Sequence, residues 1–356
     1  DDRSWNVVST PHTVELMPAE GSGCRNYQGP AWYRKHFVLP AETKGQRVVL
    51  HFEAAMGKQI LYLNGKRIQE HLGGYLPFTL DLTANGVQAG DSCLLAVFTD
   101  NSDDKSYPPG KRQYTLDFAY HGGIYRDVWM IAKSPVAITD AIDSQTVGGG
   151  GVFVHFDKIS EKSAQVYVNT EVQNDDARFE SVTVETTLTD ADGKVIKRSS
   201  GKLSLKPGEK KSIRQQMEVK NPTLWSPDTP YLYRVQSRIK KGNKSIDGGI
   251  TRVGIRLAEF RGKDGFWLNG KPFGQLVGAN RHQDFAYVGN ALPNSQQWRD
   301  AKRLRDAGCT IIRVAHYPQD PAFMDACDEL GLFVIVATPG LSLIHISEPT
   351  RPEPIS

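Results

Sequence analysis

Two short polar clusters in the last third of the chain hold the groups best suited to chemistry. Asn280-Arg281-His282-Gln283-Asp284 follows the mostly apolar run Phe273 to Ala279, and His316-Tyr317-Pro318 follows the β-rich run Thr310 to Val314. Imidazole, guanidinium and carboxylate groups bind polar ligands and move protons, but only when they face one cavity. Each group also has a plain structural reading: Arg281 and Asp284 as an ordinary ion pair, and a single histidine as a satisfied hydrogen-bonding residue. The functional reading draws its weight from a coincidence. The clusters stand at equivalent ends of neighbouring strands, so they are expected to converge on one mouth.

The elements that position them show a change of period after Phe266. Leu268-Asn269-Gly270-Lys271-Pro272-Phe273 predicts a hairpin, and Phe273 to Ala279 a strand. Pro293-Asn294 opens a helix with Trp298, Ala301, Leu304 and Arg305 at helical spacing, closed by Gly308. Asp320 is a good N-cap with Pro321 at the first helical position, and Phe323, Cys327 and Leu330 form an apolar stripe before Gly331. Phe333 to Val336 supplies another strand. Strands alternating with helices in this way predict βαβ units and a parallel sheet, whose reactive groups project from the carboxyl ends of the strands.

Everything upstream is β-rich. From Arg47 to Ala137 short apolar alternations are separated by turn signals, the strongest being Asn64-Gly65, which suits a type I′ hairpin turn. A second strand-rich block from about Val152 to Arg256 has the length and turn spacing of an immunoglobulin-like sandwich. The Lys-rich pieces Glu209-Lys210-Lys211 and Lys240-Lys241 read as solvated hairpin ends.

Composition narrows the function classes. With 43 Lys+Arg against 40 Asp+Glu, the net charge of +3 supports neither a nucleic-acid partner nor a membrane-surface one. No apolar run approaches the ~20 residues of a membrane-spanning helix. Cys24, Cys93, Cys309 and Cys327 are too scattered for a disulfide framework or zinc knuckle and read as separate thiols. No Gly-rich phosphate loop follows a strand and no metal-ligand cluster is legible, so no cofactor is expected. The chain starts without Met, yet Trp5 to Val8 and Thr10-Pro11-His12 read like the inside of a domain. A native start upstream is therefore expected, and the cellular location is left open. Residues 341–351 resemble a translated sequencing-library transposase adapter, so native sequence is expected to stop near Gly340, and His345 and Glu348 are set aside.

Five phrases in order give the chain a family resemblance: Gly29-Pro30-Ala31-Trp32-Tyr33-Arg34, Gly123-Ile124-Tyr125-Arg126-Asp127-Val128, Asn280-Arg281-His282, Arg313-Val314-Ala315-His316-Tyr317-Pro318 and Cys327-Asp328-Glu329-Leu330-Gly331-Leu332. Across residues 1–340 the sequence resembles glycoside hydrolase family two. Gly289-Asn290-Ala291-Leu292 and His316-Tyr317-Pro318-Gln319-Asp320-Pro321 are most similar to its bacterial β-galactosidase branch. The resemblance implies a multidomain β plus α/β fold: a jelly-roll-like sugar-binding β-sandwich over 1–137, an immunoglobulin-like β-sandwich over 138–256, and the first part of an incomplete (β/α)8 TIM barrel over 257–340. The tail 341–356 stands outside it.

The implied activity is that of a retaining, exo-acting β-glycosidase hydrolysing terminal β-linked galactose, with β-glucuronidase and β-mannosidase as alternatives within the family. The implied ligand is a carbohydrate; oligomeric state is left open, and a periplasmic or secreted location fits the relatives. Residue by residue, Asp117, Asn280, Arg281, His282 and His316 are implied to contact substrate, and Gln28 lies near a position where relatives place a sugar-contacting amide. The family's catalytic glutamates follow barrel strands four and seven. Neither is expected in this chain, which reads Val336-Ala337-Thr338-Pro339 at its third strand, and Glu329 lies in a helix. Three strands of an eightfold barrel leave an unpaired parallel edge, so 257–340 are expected to be poorly ordered or aggregation-prone. A different class, a non-catalytic carbohydrate-binding sandwich protein, draws on Trp32, Tyr75, Tyr107, Tyr120 and Tyr125 as stacking aromatics. It gives no reason for the α/β segment.

Overall fold

The computed structural model describes residues 2–15, 26–116 and 118–339. Asp117, Cys24 and the expected adapter-like tail lie outside the described residues.

Alternation of apolar and polar residues builds the first sandwich. Pro30–Val38, Ser92–Asp100, Lys58–Leu63 and Lys66–Leu72 form one antiparallel sheet, in that order, and Phe78–Asp81, Arg47–Phe52 and Val128–Lys133 form the other. Leu61, Leu63, Leu95 and Val97 from the first sheet meet Val48, Leu50, Phe52 and Leu80 from the second in one apolar core. Asn64 (φ 51°) and Gly65 (φ 82°) form a two-residue connection between Leu63 and Lys66, as the Asn-Gly signal predicts.

The chain leaves this sandwich at Ser134-Pro135, since Val136–Ile138 pairs with Ser163–Asn174 of the next. Ser163–Asn174 also pairs with Val152–Asp157 and Lys210–Lys220, opposite the sheet Val195–Leu205, Glu180–Thr189, Tyr233–Lys241 and Lys244–Val253. After a small antiparallel hairpin sheet over Ala258–Pro272 comes the α/β segment: Gly278–Arg281, Ile311–Val314 and Phe333–Val336 form a parallel sheet, crossed over by the helices Asn294–Asp306 and Pro321–Leu330. Ile312, Val314, Ala301, Phe323, Ala326 and Cys327 fill the layer between sheet and helices.

The first barrel strand differs from the expected Phe273 to Ala279. It starts at Gly278 and includes Asn280 and Arg281, because its extent is set by pairing with the four residues Ile311–Val314 and not by its own apolar run. Both helix caps match expectation: the Asp320 carboxylate accepts from Ala322 N at 2.9 Å, and Gly331 takes φ 79°. Among the described residues Phe333–Val336 pairs on one side only, and Ile335 and Val336 are half-exposed.

The second sandwich grips the start of these strands. Trp225 is fully buried against Phe266, Leu268 and Phe333, and its Nε1 donates to Asp328 O at 2.9 Å. Beside it, a Cβ on Gly331 would stand 2.3 Å from the Pro227 carbonyl oxygen, whereas one on Gly308 (φ 89°) would meet nothing within 4 Å. Gly308→Ala is thus expected to lose only the left-handed backbone term, about 1–2 kcal/mol. Gly331→Ala adds an overpacking term of about 1–3 kcal/mol. Urea denaturation of the two variants checks the order; equal losses would refute the close approach.

Candidate active-site mouth

The mouth is assembled by an aromatic layer between the first sandwich and the barrel loops. Beyond the second strand, Ala315 N donates to Arg281 O at 3.0 Å, tying the two strand ends together. The chain then drives Tyr317 into the first sandwich, where its ring stacks on Tyr75 with centroids 4.3 Å apart and planes 12° from parallel. Ala54, Met56, Leu116, Phe118, Tyr120, Tyr125 and Ala291 complete this buried cluster. The Tyr317 hydroxyl accepts from Gln283 N at 3.0 Å, so the same ring fixes the loop after the first strand. Burial pushes that hydroxyl's pKa far up and keeps it neutral.

This layer brings His282 and His316 together, ring centroids 5.6 Å apart. Phe118, from the first sandwich, stacks on His282 at 5.7 Å and 13°, and lies 5.6 Å from His316. Arg313 Nη2 donates to His316 Nδ1 at 3.3 Å, and His282 Nδ1 is buried with no hydrogen-bond partner among the described residues. Asn280 pairs in register with Arg313, is exposed, and stands on the same sheet face. Phe118 and His316 are themselves buried, so the groups best placed for the hydroxyls of a polar ligand are the half-buried His282 and Arg313 and the exposed Asn280.

Arg281 is not part of this mouth. It is 7% exposed, and its guanidinium donates to Gln319 Oε1 at 2.6 Å, Gln297 Oε1 at 2.8 Å and Asp300 Oδ2 at 2.8 Å, over the Phe323 ring at 4.0 Å. Successive strand residues point to opposite faces, so Arg281 enters the helix layer while Asn280 faces inward. Its ionic partner is Asp300, not Asp284. The Gln28 amide is held by Asp103 Oδ1 at 3.0 Å and by the Tyr120 hydroxyl. Burial raises the Asp103 pKa, but hydrogen bonds from Tyr120, Gln28 and Gln113 N outweigh it and hold the carboxyl below its ordinary range. Tyr75, Tyr120 and Tyr125 are core residues, so they offer no exposed stacking face. Glu329 bonds Arg252 and Trp298 on the outer side of the helices. Arg313 was missed by the cluster argument, although alternation with buried Ile312 and Val314 could have placed it inward. Among the described residues no group of three His, Cys, Asp or Glu is placed to hold a metal ion, and no helix is long and apolar enough to cross a membrane.

Three sequence models of one family match in order: "Glycosyl hydrolases family 2, sugar binding domain" over 7–135, "Glycosyl hydrolases family 2" over 150–256, and "Glycosyl hydrolases family 2, TIM barrel domain" over 260–350. A beta-galactosidase of Thermoanaerobacter pseudethanolicus is 34% identical over 96% of this chain and 43% of its own length. A beta-glucuronidase of Formosa agariphila is 32% identical over 96% of this chain and 36% of its own. The structure of Bacteroides uniformis beta-glucuronidase 2, covalently bound to cyclophellitol-6-carboxylate aziridine, superposes with a TM-score of 0.84 at 31% identity, covering 96% of this chain and 39% of that one. The chain thus spans well under half the length of these relatives.

The layer that builds the mouth also carries a titratable group. His121, 2% exposed, donates from Nδ1 to Asn290 Oδ1 at 2.6 Å, and Asn290 Nδ2 donates to Gln283 O at 2.5 Å. Burial lowers the His121 pKa below its usual 6.5, although Asn290 and Asp284 pull it upward. The unfolded chain therefore takes up this proton first as pH falls, and stability present above 6.5 is lost below it. His12 and His71 shift the same way by burial. Thermal melts are expected to fall between about pH 7 and pH 5, with a shallower slope in His121→Gln. An identical slope in that variant would exclude His121 as a source.

Proposed function

Because the chain belongs to glycosyl hydrolase family 2, we propose that it forms the sugar-binding part of a retaining, exo-acting β-glycosidase that removes terminal β-linked galactose. The observation that carries this is the convergence of His282, His316 and Phe118 at the carboxyl ends of the barrel strands, with Arg313 against His316. In this reading His316, Arg313 and Asn280 hold sugar hydroxyls, and Phe118 with His282 walls the pocket. Asp117 adds a carboxylate acceptor for hydroxyl hydrogen bonds; its sequence neighbours Leu116 and Phe118 are both buried in the aromatic layer. Arg281 supports the strands. The choice of galactose rests on Gly289-Asn290-Ala291-Leu292 and His316 to Pro321, which resemble the galactosidase branch.

Retaining hydrolysis needs two carboxyl groups ~5–5.5 Å apart, one to protonate the leaving oxygen and one to attack the anomeric carbon. Of the acids that follow the described strands, Asp320 is buried as a helix cap and so is not free for either role, which leaves the half-buried Asp284 without a second carboxyl to pair with there. The 356-residue chain by itself is therefore expected to turn over no chromogenic β-glycoside. A polypeptide joining these residues to a complete barrel is expected to hydrolyse a chromogenic β-galactoside faster than the matching β-glucuronide or β-mannoside. His316→Ala in that protein should lower kcat/KM by about 10²–10³-fold. A faster rate on the glucuronide would overturn the galactose assignment, and no rate on any of the three would overturn the glycosidase reading.

A further inference from the structure

His282 and His316 share a mouth only if the loop after the first barrel strand and the loop after the second are held at a fixed separation. We infer that Arg126 is a positioning residue that clamps both loops from the first sandwich and so sets the placement of the two histidines. Its guanidinium is 3% exposed. Nη2 donates to Gln283 Oε1 at 3.0 Å and to Pro318 O at 2.7 Å, and Nη1 reaches Tyr75 O at 3.5 Å. Gln283 follows His282 directly, and Pro318 lies two residues beyond His316.

The clamp is reinforced from behind. Gln283 is fully buried, and its Oε1 also accepts from Asp320 N at 3.0 Å, which ties the cap of the second helix into the same knot. A planar guanidinium with several donors suits two acceptors on separate loops; an ammonium offers a compact point charge without that fork. Among the described residues its hydrogen-bond acceptors are protein carbonyl and amide oxygens, and its Nε is buried away from the mouth's surface without a partner. It therefore acts through the loops and not on substrate. Only the effect on turnover depends on the glycosidase reading.

The test uses the whole 356-residue chain, with histidine ring resonances read by NMR. Arg126→Met and Arg126→Lys are expected to move the His282 and His316 resonances, while His155 in the second sandwich stays in place. Asn294→Ala removes a different sandwich–barrel bond, Nδ2 to Asp127 Oδ2 at 3.0 Å, and is expected to move neither. If Arg126→Met does not fold, Arg126→Lys carries the test. Unmoved His282 and His316 signals in a folded Arg126 variant, with only a lower melting temperature, would reduce Arg126 to a structural tie and overturn the inference. In a barrel-complete protein Arg126→Lys should also lower kcat/KM by up to about 10²-fold. Lack of turnover in the unsubstituted protein would remove the glycosidase reading and leave the resonance test intact.

Discussion

The stacking of Tyr317 on Tyr75 is the contact on which the rest of the site depends. Tyr317 belongs to the loop after the second barrel strand and Tyr75 to the first sandwich, so the pair converts two independent cores into one packed layer. Buried aromatic pairs add about 0.5–1.5 kcal/mol beyond the area they remove from water. Here the ring does more, because its hydroxyl accepts from Gln283 N and so positions the neighbouring loop. The first sandwich thus also places the buried Phe118 against both histidines of the mouth.

The two sandwiches hold the α/β segment at opposite ends. The first packs on the carboxyl ends of the strands, through Tyr75, Phe118 and Arg126. The second packs where strands begin and helices end: Trp225 against Phe333, Arg305 Nη2 on Pro227 O at 2.9 Å, and Gly331 close to the Pro227 carbonyl. A short parallel sheet would otherwise have few partners beyond its helices. The geometry thus sets the Trp225 anchor at one end of the strands and the His282–His316 pair at the other.

Much of this was legible in the sequence wherever the signal is local. Asn64-Gly65 and Asn269-Gly270 name their hairpins because positive φ at both positions restricts the residues allowed. Asp320, Pro321 and Gly331 name the second helix because capping is chemistry within a few residues. The first barrel strand was misplaced because its limits come from a partner 33 residues away in sequence, Gly278 pairing with Ile311. The site was legible as a neighbourhood, with His282 and His316 together, but not as a list. Arg281 sat in the right cluster on the wrong face, and Arg313 sat inside a strand that looked merely apolar. The sandwich–barrel layer has no sequence signature, since nothing local distinguishes Tyr75 buried at an interface from Tyr75 exposed for stacking.

Which polar groups are already satisfied separates structure from recognition around the mouth. Arg281 has three side-chain acceptors and an aromatic face, and Gln319 Nε2 also donates to its carbonyl, so its polar groups are turned into the fold. Gln283 and Arg126 bond each other and two further loops, although the Arg126 Nε is buried without a partner among the described residues. His282 is different: its Nδ1 is buried and unpartnered among the described residues, a condition that costs about 1–3 kcal/mol until something hydrogen-bonds to it. The Gln297 Nε2, the Tyr75 hydroxyl, the Arg126 Nε and a ring nitrogen each of the half-buried His51, His71 and His155 share that condition; what sets His282 apart is its place beside His316 at the strand ends. A sugar hydroxyl entering beside Phe118 would supply the missing partner. The same two residues of sequence, Arg281 and His282, therefore differ in kind: one closes the fold, and the next, in the function proposed, leaves a bond for the ligand to make.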